Sequence, residues 1–283
     1  MKSIIKKLPA SQVELSATLD KDEFKEYWDE VLEEELAKVH LKGFRPGMAP
    51  REMAEHAVDK DKVFNEAANR AVRYALQDLS EKNHWTIIDK PQVEIDEKNL
   101  EFSFHGILTL FPEIKLGNYK KIAKKIFSEK IEVKVDLAEV DKALDWLRES
   151  RKKGDILPEL NDEFSKSLGK FQNVAELRQN IEQGVRMEKE FHERDKQRVR
   201  VLDEIIKSSE IDVPNVMIEK TLDHIAKDNK ELRDKMRDKA KHDVLANLIL
   251  FKIAEIEKID HDPKEGVDNF KVFELLENLS KNW

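Results

Sequence analysis

The sequence contains no cysteine among its 283 residues. Disulfide frameworks, thiol nucleophiles and cysteine-ligated zinc sites are therefore excluded, and a reducing compartment is favoured. Only 8 glycines are present, and aromatic residues make up 7% of the chain. This scarcity argues against a turn-rich β protein and against a glycine-rich nucleotide-binding fold.

Long apolar runs are absent as well. No stretch approaches the roughly 20 apolar residues that a membrane-spanning helix needs. Residues 1–9 include lysines but no apolar run long enough for a signal peptide. We therefore expect a soluble, cytoplasmic protein.

Catalytic and metal-binding motifs are also missing. The 8 histidines form no His-x-x-x-His or His-Glu-x-x-His pair, so the spacing of a metal site is not found. No Gly-x-Ser-x-Gly elbow, P-loop or Gly-x-Gly-x-x-Gly motif occurs. We therefore expect no catalytic residue, no metal and no cofactor.

Charge is what the sequence has in abundance. Charged residues make up 39% of the chain, and the mean hydropathy is -0.66. A large solvated surface relative to the buried core predicts an elongated, mainly helical molecule. The net charge of -8 means that bulk attraction to nucleic acid is not expected.

Residues 1–112 have the pattern of an α+β domain, in which helices pack on an antiparallel sheet. Strict alternation of apolar and polar residues predicts strands, and a spacing of three and four predicts helices. The predicted elements are, in order, a strand over residues 12–19, a helix capped by Asp20, a helical region over residues 53–79, and strands over residues 86–95 and 100–110.

The rest of the chain divides into an arm and a helical domain. Residues 113–153 form the predicted linker arm, which is rich in lysine, has a short extended segment over residues 131–135 and ends in a helix that begins at Asp136. Residues 154–283 are predicted to be nearly all helical. Within them, the charged stretch 227–241 is expected to form an exposed tip that joins two antiparallel helices.

A compact loop lies between the first two helical regions. It holds two glycines, two prolines, an aromatic ring and a guanidinium, in the order Gly43, Phe44, Arg45, Pro46, Gly47, Met48, Ala49 and Pro50. Glycine and proline end the preceding helix and favour a tight turn that holds Phe44 and Arg45 outward. The alternative is a plain connector whose Phe44 tucks back into the core.

Three separated stretches of the chain resemble bacterial trigger factors, which are ribosome-associated chaperones. The loop is similar to the Gly-Phe-Arg-x-Gly-x-x-Pro signature through which that family docks on the ribosome. Residues 111–114 resemble the end of the family's amino-terminal domain, while residues 157–164 and 211–214 resemble parts of its carboxy-terminal chaperone domain. In order and spacing, the resemblance covers nearly the whole chain.

The resemblance implies an ATP-independent chaperone that docks at the peptide exit of the large ribosomal subunit and shields nascent and unfolded polypeptides. The implied ribosome-docking residues are Gly43, Phe44, Arg45, Pro46, Gly47 and Pro50, with Lys42 and Arg51 flanking them. Exposed apolar positions at Val216, Ile218 and Leu222 are the candidate client contacts. A homodimer away from the ribosome stays open.

Two features depart from the family's pattern. Its usual plan inserts an FKBP-like prolyl isomerase domain of on the order of a hundred residues after the arm, but here residues 153 and 157 are joined by only a short stretch. The resemblance therefore implies a chain without isomerase activity, and one whose chaperone domain is short at its end. Pro46 and Met48 stand where many relatives carry lysine, which leaves Arg45 as the main cation of the tip.

Two other functions are compatible with parts of the pattern. One is a peptidyl-prolyl isomerase, as in full-length relatives, which a proline-limited refolding assay would detect. The other is a helical holdase or scaffold unrelated to ribosomes, including a periplasmic chaperone of similar architecture. The lack of a signal peptide and the loop signature argue against the second.

Overall fold

The structure is a computed structural model that describes residues 1–45, 48–96, 102–259 and 267–281. The chain forms two compact units. The first contains Met1–Lys115 and Ile211–Leu245, and the second contains Leu116–Glu210 and Ala246–Trp283. Each unit therefore draws on two separate parts of the sequence.

The first unit contains a four-stranded antiparallel sheet with the strand order β1-β2-β4-β3. Its strands are β1 (Lys2–Leu8), β2 (Gln12–Leu19), β3 (Gln92–Asp96) and β4 (Phe102–Thr109). The bounds of β2 are those that the alternating pattern predicts. The predicted start of the last strand, Leu100, lies outside the described residues.

One face of the sheet is buried, and the other is largely open to solvent. In β2 every second residue is buried, from Val13 to Leu19, and in β4 the same is true from Phe102 to Leu108. Strand β3 approaches β4 closely at Gly106, where an added Cβ atom would lie 2.4 Å from the carbonyl oxygen of Gln92. Only glycine allows β3 and β4 to pair at this point.

The edge strand β1 is not predicted by the sequence pattern. Its side chains are exposed except for the half-buried Leu8, and its isoleucines, Ile4 and Ile5, are adjacent and so do not alternate. Pairing is nevertheless regular, from Lys2 opposite Thr18 to Leu8 opposite Gln12. Lysines on an edge strand discourage pairing with other chains. The lysines of β1 therefore suit an edge position, although its residue pattern does not predict a strand.

Three helices follow β2 along the chain: α1 (Lys21–Lys38), α2 (Arg51–Ala57) and α3 (Lys60–Asn83). Asp20 caps α1 as predicted, and Glu23 completes a capping box. The single helical region expected over residues 53–79 is divided in two. The reason is that Asp59 caps α3 by accepting hydrogen bonds from the backbone amides of Asp61 and Lys62.

The core of the first unit lies between the sheet and the helices. Phe24 of α1 stacks on Phe102 of β4, with ring centroids 4.4 Å apart. The face of α3 that meets the sheet consists largely of alanine, which lets the helix approach closely. The buried residues of this core are Val13, Leu15, Ala17, Leu19, Ala68, Ala71, Ala75, Leu79, Phe102, Phe104 and Leu108.

The strand predicted over residues 86–95 is shorter than expected. Only β3 is a strand, and before it Ile87 forms an isolated antiparallel bridge with Leu110. Pro91 lies between the two. Because proline has no backbone N–H to donate, it interrupts a continuous ladder.

The exposed face of the sheet carries a titratable cluster. His105 lies 3.0 Å from Asp96 through Nδ1 and 3.3 Å from Glu94 through Nε2. The hydrogen bond with Asp96, followed by the attraction of both carboxylates, raises the pKa of His105 above its ordinary value. Protonated His105 therefore favours the folded state.

We expect this cluster to make the stability of the first unit depend on pH. The stabilisation is fully present below the ordinary imidazole pKa, and it is lost as the pH rises through the raised pKa of the folded state. Urea melts at pH 5.5 and 8.5 should thus differ more for the wild type than for His105→Gln. The control is His192→Gln, which replaces an exposed histidine that lies 3.9 Å from Glu188. It should behave as the wild type. A pH difference that His105→Gln leaves unchanged would remove this cluster from the explanation.

Two later helices, α8 (Asn215–Ala226) and α9 (Lys230–Ile256), correct the prediction for the charged stretch 227–241. The connection is only the turn after Ala226, and nearly all of the charged stretch is helical. Arg233 binds Glu219 and Asp223 of α8 at 2.6 and 2.5 Å, and Arg237 binds Glu219 at 2.7 Å. Ion pairs to α8 thus hold the start of α9 in place. The prediction missed this helical stretch because it relied on an apolar stripe, which the stretch lacks.

The second unit is helical and includes α4 (Tyr119–Phe127), α5 (Leu137–Ser150), α6 (Asp162–Leu168), α7 (Val174–Ser208) and α10 (Asn269–Lys281). The helix predicted to begin at Asp136 is confirmed as α5, with a complete capping box. The lysine-rich stretch forms α4, which buries Tyr119, Ala123 and Ile126 and packs on α7 and α10. This part of the predicted arm therefore shares a core with other helices. Two-residue strands, β5 (Ile114–Lys115) and β6 (Glu210–Ile211), complete the described elements.

Candidate functional site

The loop that the sequence singles out connects α1 to α2. The backbone amide of Val39 closes α1 by donating to the carbonyl of Leu36. Gly43 then adopts a φ of +99°, in the left-handed region that glycine occupies without steric cost. The amide of Phe44 donates to the carbonyl of Leu41 across this turn, at 3.0 Å. Gly43 is thus the residue that reverses the chain.

The tip of the loop faces solvent. The side chain of Phe44 is 37% exposed, and Arg45 and Met48 are exposed beside it. The alternative in which Phe44 tucks into the core is therefore wrong. Pro46 and Gly47 lie outside the described residues, so their predicted roles are not addressed by the structure.

The cations around the tip differ in whether they form ion pairs within the protein. Arg51 binds Glu33 and Glu55, each at 2.7 Å, and these bonds raise the pKa of its guanidinium. Neither Lys42 nor Arg45 has an ion pair or side-chain hydrogen bond within the part of the chain that the structure describes. The two arginines therefore differ: Arg45 is exposed without a side-chain partner among the described residues, whereas Arg51 holds α2 to α1.

Ion pairs from consecutive glutamates of α1 fix the helices that carry the loop. Glu34 forms a forked pair with Arg70 of α3, with N–O distances of 2.8 and 2.7 Å. Glu35 binds Lys62 at 2.7 Å. Hydrogen bonds from Arg70 and Lys62, respectively, lower the pKa of these two carboxyls. Exposed ion pairs add little to stability because water and salt screen them, so the main effect of these two is to hold α1 and α3 in one register.

An apolar cluster lies between the same helices. Val31 of α1 and Val63 and Ala67 of α3 are buried, and Trp28 and Val58 pack against them. Val58 ends the short helix α2, so this cluster anchors the far side of the loop as well. The loop is therefore held at both ends by packed helices, while its tip is free.

The predicted client contacts are mostly internal. Ile218 and Leu222 are 5% and 0% exposed, and Val216 is half-buried. The expectation that these positions are exposed is therefore wrong for Ile218 and Leu222. Apolar residues at a spacing of four on a helix signal a core face, and that is the face of α8 they occupy.

Exposed apolar side chains occur elsewhere, at positions that the sequence analysis did not select. Trp146 on α5 is 70% exposed, and Met187 and Phe191 on α7 and Phe270 on α10 are also exposed. The sequence does contain a signal for such residues: a large aromatic residue that lies outside the apolar stripe of its helix. Trp146, between the stripe residues Leu144 and Leu147, is the clearest case.

The described residues offer no cluster of metal-ligating side chains. Within them, no group of three or more His, Cys, Asp or Glu side chains is placed to hold a metal ion. The cluster around His105 lies on an exposed sheet face. No helix of the described ranges combines the length and apolar character needed to cross a bilayer.

Comparison with known proteins gives a family match. The family model for bacterial trigger factor protein matches residues 1–147. The trigger factor of Caldicellulosiruptor bescii is 23% identical over 385 residues, covering 89% of this chain and 87% of the relative. That of Caldanaerobacter subterraneus subsp. tengcongensis is 21% identical over 398 residues, covering 100% and 91%. These alignments are longer than the chain itself, so each of these relatives contains more than a hundred residues without a counterpart here.

A solved structure gives the same result for the fold. The structure, from work on promiscuous substrate recognition by the trigger factor chaperone, aligns with 100% of this chain and 100% of its own, with a TM-score of 0.62 and 13% identity. The predicted fold class, α+β followed by mainly helical, is confirmed. With more than half of the sequence matched by the family model, this chain belongs to the bacterial trigger factor family of protein-folding chaperones.

Proposed function

We propose that this chain is an ATP-independent chaperone that docks at the peptide exit of the large ribosomal subunit and shields apolar segments of nascent chains. The observation that carries the docking is an exposed phenylalanine beside an arginine that has no side-chain partner among the described residues, at the tip of a loop held by two packed helices. Phe44 and Arg45 are costly to keep at a free tip for structural reasons alone. A binding role explains both.

Docking would combine one apolar and one ionic contact. Arg45 can form a forked, charge-assisted pair with a carboxylate or phosphate, and Phe44 supplies a compact aromatic anchor. Lys42 adds a second cation that has no ion pair within the described ranges. Gly43, in its left-handed turn, and Pro50, at the start of α2, preorganise the described part of the loop, which lowers the entropy lost on binding. Pro46 and Gly47 stay proposed docking residues on the resemblance alone. Arg51 contributes by holding α2.

Chaperone action needs only weak and repeated contacts. A nascent chain exposes apolar segments before it can bury them, and transient covering of those segments limits aggregation. Several weak sites acting together bind a client until its own core forms. The exposed side chains of Trp146, Met187, Phe191 and Phe270 are better candidates for such contacts than Ile218 and Leu222. No ATP site is required by this scheme.

The domain division is part of the proposal. We assign ribosome binding to residues 1–112, the linker arm to residues 113–153 and the chaperone domain to residues 154–283. Within the first compact unit, the amide of Ser11 donates to the carboxylate of Asp212 at 2.9 Å. Part of the proposed chaperone domain therefore contacts the α+β head. Cytoplasmic location and a homodimer away from the ribosome stay predictions.

We also propose that the isomerase domain of longer relatives is missing. The chain between Lys153 and Ile156 is closed by a tight antiparallel bridge, with Gly154 at a φ of +62°. This direct connection, at the place where the resemblance expects the domain, supports the proposal, as does the length of the relatives' alignments. In a proline-limited refolding assay we expect the chain to leave the slow phase unchanged within about twofold, since isomerisation is otherwise slow. A catalysed slow phase would contradict the proposal and favour the isomerase alternative.

Ribosome co-sedimentation tests the docking proposal directly. The wild type and a variant with Phe44, Arg45 and Pro46 changed to alanine are mixed with purified ribosomes and pelleted. We expect only the wild type to pellet. Equal pelleting of both would contradict docking through this loop, and absence of pelleting for both would favour a holdase that acts without the ribosome.

A further inference from the structure

Residues 130–135 form an irregular segment of the second unit, here called the strap. It lies along α7 and is not a strand. Its burial alternates, since Ile131, Val133 and Val135 are half-buried while the residues between them are exposed. A period of two is that of an extended backbone. Val135 packs on the core cluster of Val140, so the half-buried side of the strap faces the protein.

The strap is pinned at both ends to α7. The amide of Gln197, itself buried, donates to the carbonyl of Glu129 at 3.1 Å. The ammonium of Lys189 donates to the carbonyl of Lys134 at 2.9 Å and binds Glu139 at 2.5 Å. The strap is therefore preorganised and does not need to become ordered when something binds.

Between these anchors the backbone has no partner. Within the described residues, no amide or carbonyl of residues 130–133 makes a hydrogen bond, and the amides of Lys134 and Val135 make none either. An extended segment with unpaired donors and acceptors is the template on which a further strand pairs.

A groove runs beside the strap. Its volume is about 940 Å³, and Val133 of the strap and Val199 of α7 are apolar residues in its lining. Val199 is 56% exposed, so its apolar side chain is accessible from the groove. The α7 residues that line the groove follow one helix face from Lys189 to Arg200. At about 1.5 Å per residue this face is roughly 16 Å long, which matches about five residues of extended chain at about 3.3 Å each.

The charges around the groove are largely neutralised within the protein. Lys196 pairs with Glu193 at 2.7 Å, and Arg200 pairs with Glu129 at 2.8 Å. The exposed residues of the strap, Glu132 and Lys134, are opposite in sign. The groove therefore complements an uncharged occupant and does not select a strongly acidic or basic one.

We infer that this groove binds an extended, apolar polypeptide segment as an added strand beside the strap. Backbone hydrogen bonds from residues 130–135 would supply affinity independent of sequence, and Val133 and Val199 would accept alternate apolar side chains. The inference rests on the proposed client binding and names the conformation in which one class of client segment is held. It gives the chaperone a preference for β-forming segments before they pair with each other.

The test uses the full chain and a fluorescein-labelled heptapeptide of alternating threonine and valine, with two terminal lysines for solubility. Fluorescence anisotropy gives its dissociation constant. A second peptide, N-methylated at both its valines and its threonines, retains the side chains but cannot donate from either edge of an extended strand. Losing two or three hydrogen bonds should weaken binding by about tenfold or more. Equal binding of the two peptides would overturn strand pairing.

Two aspartate variants test the location. Val199→Asp should weaken binding of the unmodified peptide by about tenfold, whereas Ile256→Asp, the same kind of change at an apolar residue of α9 that is 49% exposed and lies outside the groove lining, should not. Circular dichroism melts verify that both variants fold. Equal loss in both variants would contradict the groove. A wild-type dimer that Val199→Asp dissociates would make a second copy of the chain the occupant and would also overturn the inference.

Ribosome pelleting separates this inference from the docking proposal. Val199→Asp should pellet with ribosomes as the wild type does, and a variant of Phe44 and Arg45 should bind the peptide as the wild type does. Failure of the loop variant to change pelleting would remove docking while leaving the groove intact. Failure of the wild type to bind the peptide would remove the groove alone.

Discussion

Changing Phe44 and Arg45 together to alanine is expected to weaken ribosome binding by about a hundredfold or more. Aromatic and arginine residues at the centre of an interface each contribute about 2 kcal/mol or more when truncated, and 1.4 kcal/mol corresponds to a factor of about ten. The other two cations near the tip should not substitute fully for Arg45. Lys42 cannot form the forked pair of a guanidinium, and Arg51 is engaged with Glu33 and Glu55. Binding is measured by co-sedimentation across a range of ribosome concentrations.

The first unit supplies a matched control for that experiment. Arg73 and Tyr74 form an adjacent arginine–aromatic pair on α3, and both are exposed. Changing them to alanine removes the same kinds of side chain at a distance in sequence from the loop. We expect this variant to bind ribosomes as the wild type does. A similar loss in both variants would mean that binding follows general surface charge and not the loop.

Changing Leu222 to alanine is expected to destabilise the protein by about 2–5 kcal/mol without a specific loss of client protection. Leu222 is fully buried, and truncating a buried leucine removes transfer free energy and leaves a cavity. Urea denaturation followed by circular dichroism measures the stability. Suppression of aggregation of an unfolded client, measured well below the melting temperature, reports the chaperone function.

Ile225 on the same helix is the control for Leu222. It is 37% exposed, so Ile225→Ala should cost well under the Leu222 value, about 1 kcal/mol or less. Unchanged stability of Leu222→Ala together with reduced client protection would restore Leu222 as a client contact. Reduced stability with normal protection would leave the exposed aromatic residues as the better candidates.

Features that depend on near neighbours could be predicted from the sequence. The strand β2 follows from strict alternation over residues 12–19, and the start of α1 follows from Asp20 and Glu23, three residues apart. The α5 capping box formed by Asp136 and Glu139 was predicted for the same reason. In each case the interacting groups lie within one turn or one strand of each other, so the signal is local.

Features that depend on distant residues could not be predicted in this way. The edge strand β1 has no buried stripe, because it is defined by its pairing with β2. The charged start of α9 is helical because Arg233 reaches Glu219 on the preceding helix. Spacing on α8 showed that Ile218 and Leu222 share a face, but it did not show that other parts of the chain cover that face.

The sequence by itself determined the family resemblance, the fold class and the position of the loop, because these depend on short motifs, local periodicity and turn residues. Only the tertiary structure decided which groups of the loop are available. Arg51 is engaged because Glu33 lies on another helix, while Arg45 has no partner among the described residues. Burial and ion pairing join residues far apart in the sequence, as Glu34 and Arg70 illustrate, so they follow from packing and not from local pattern.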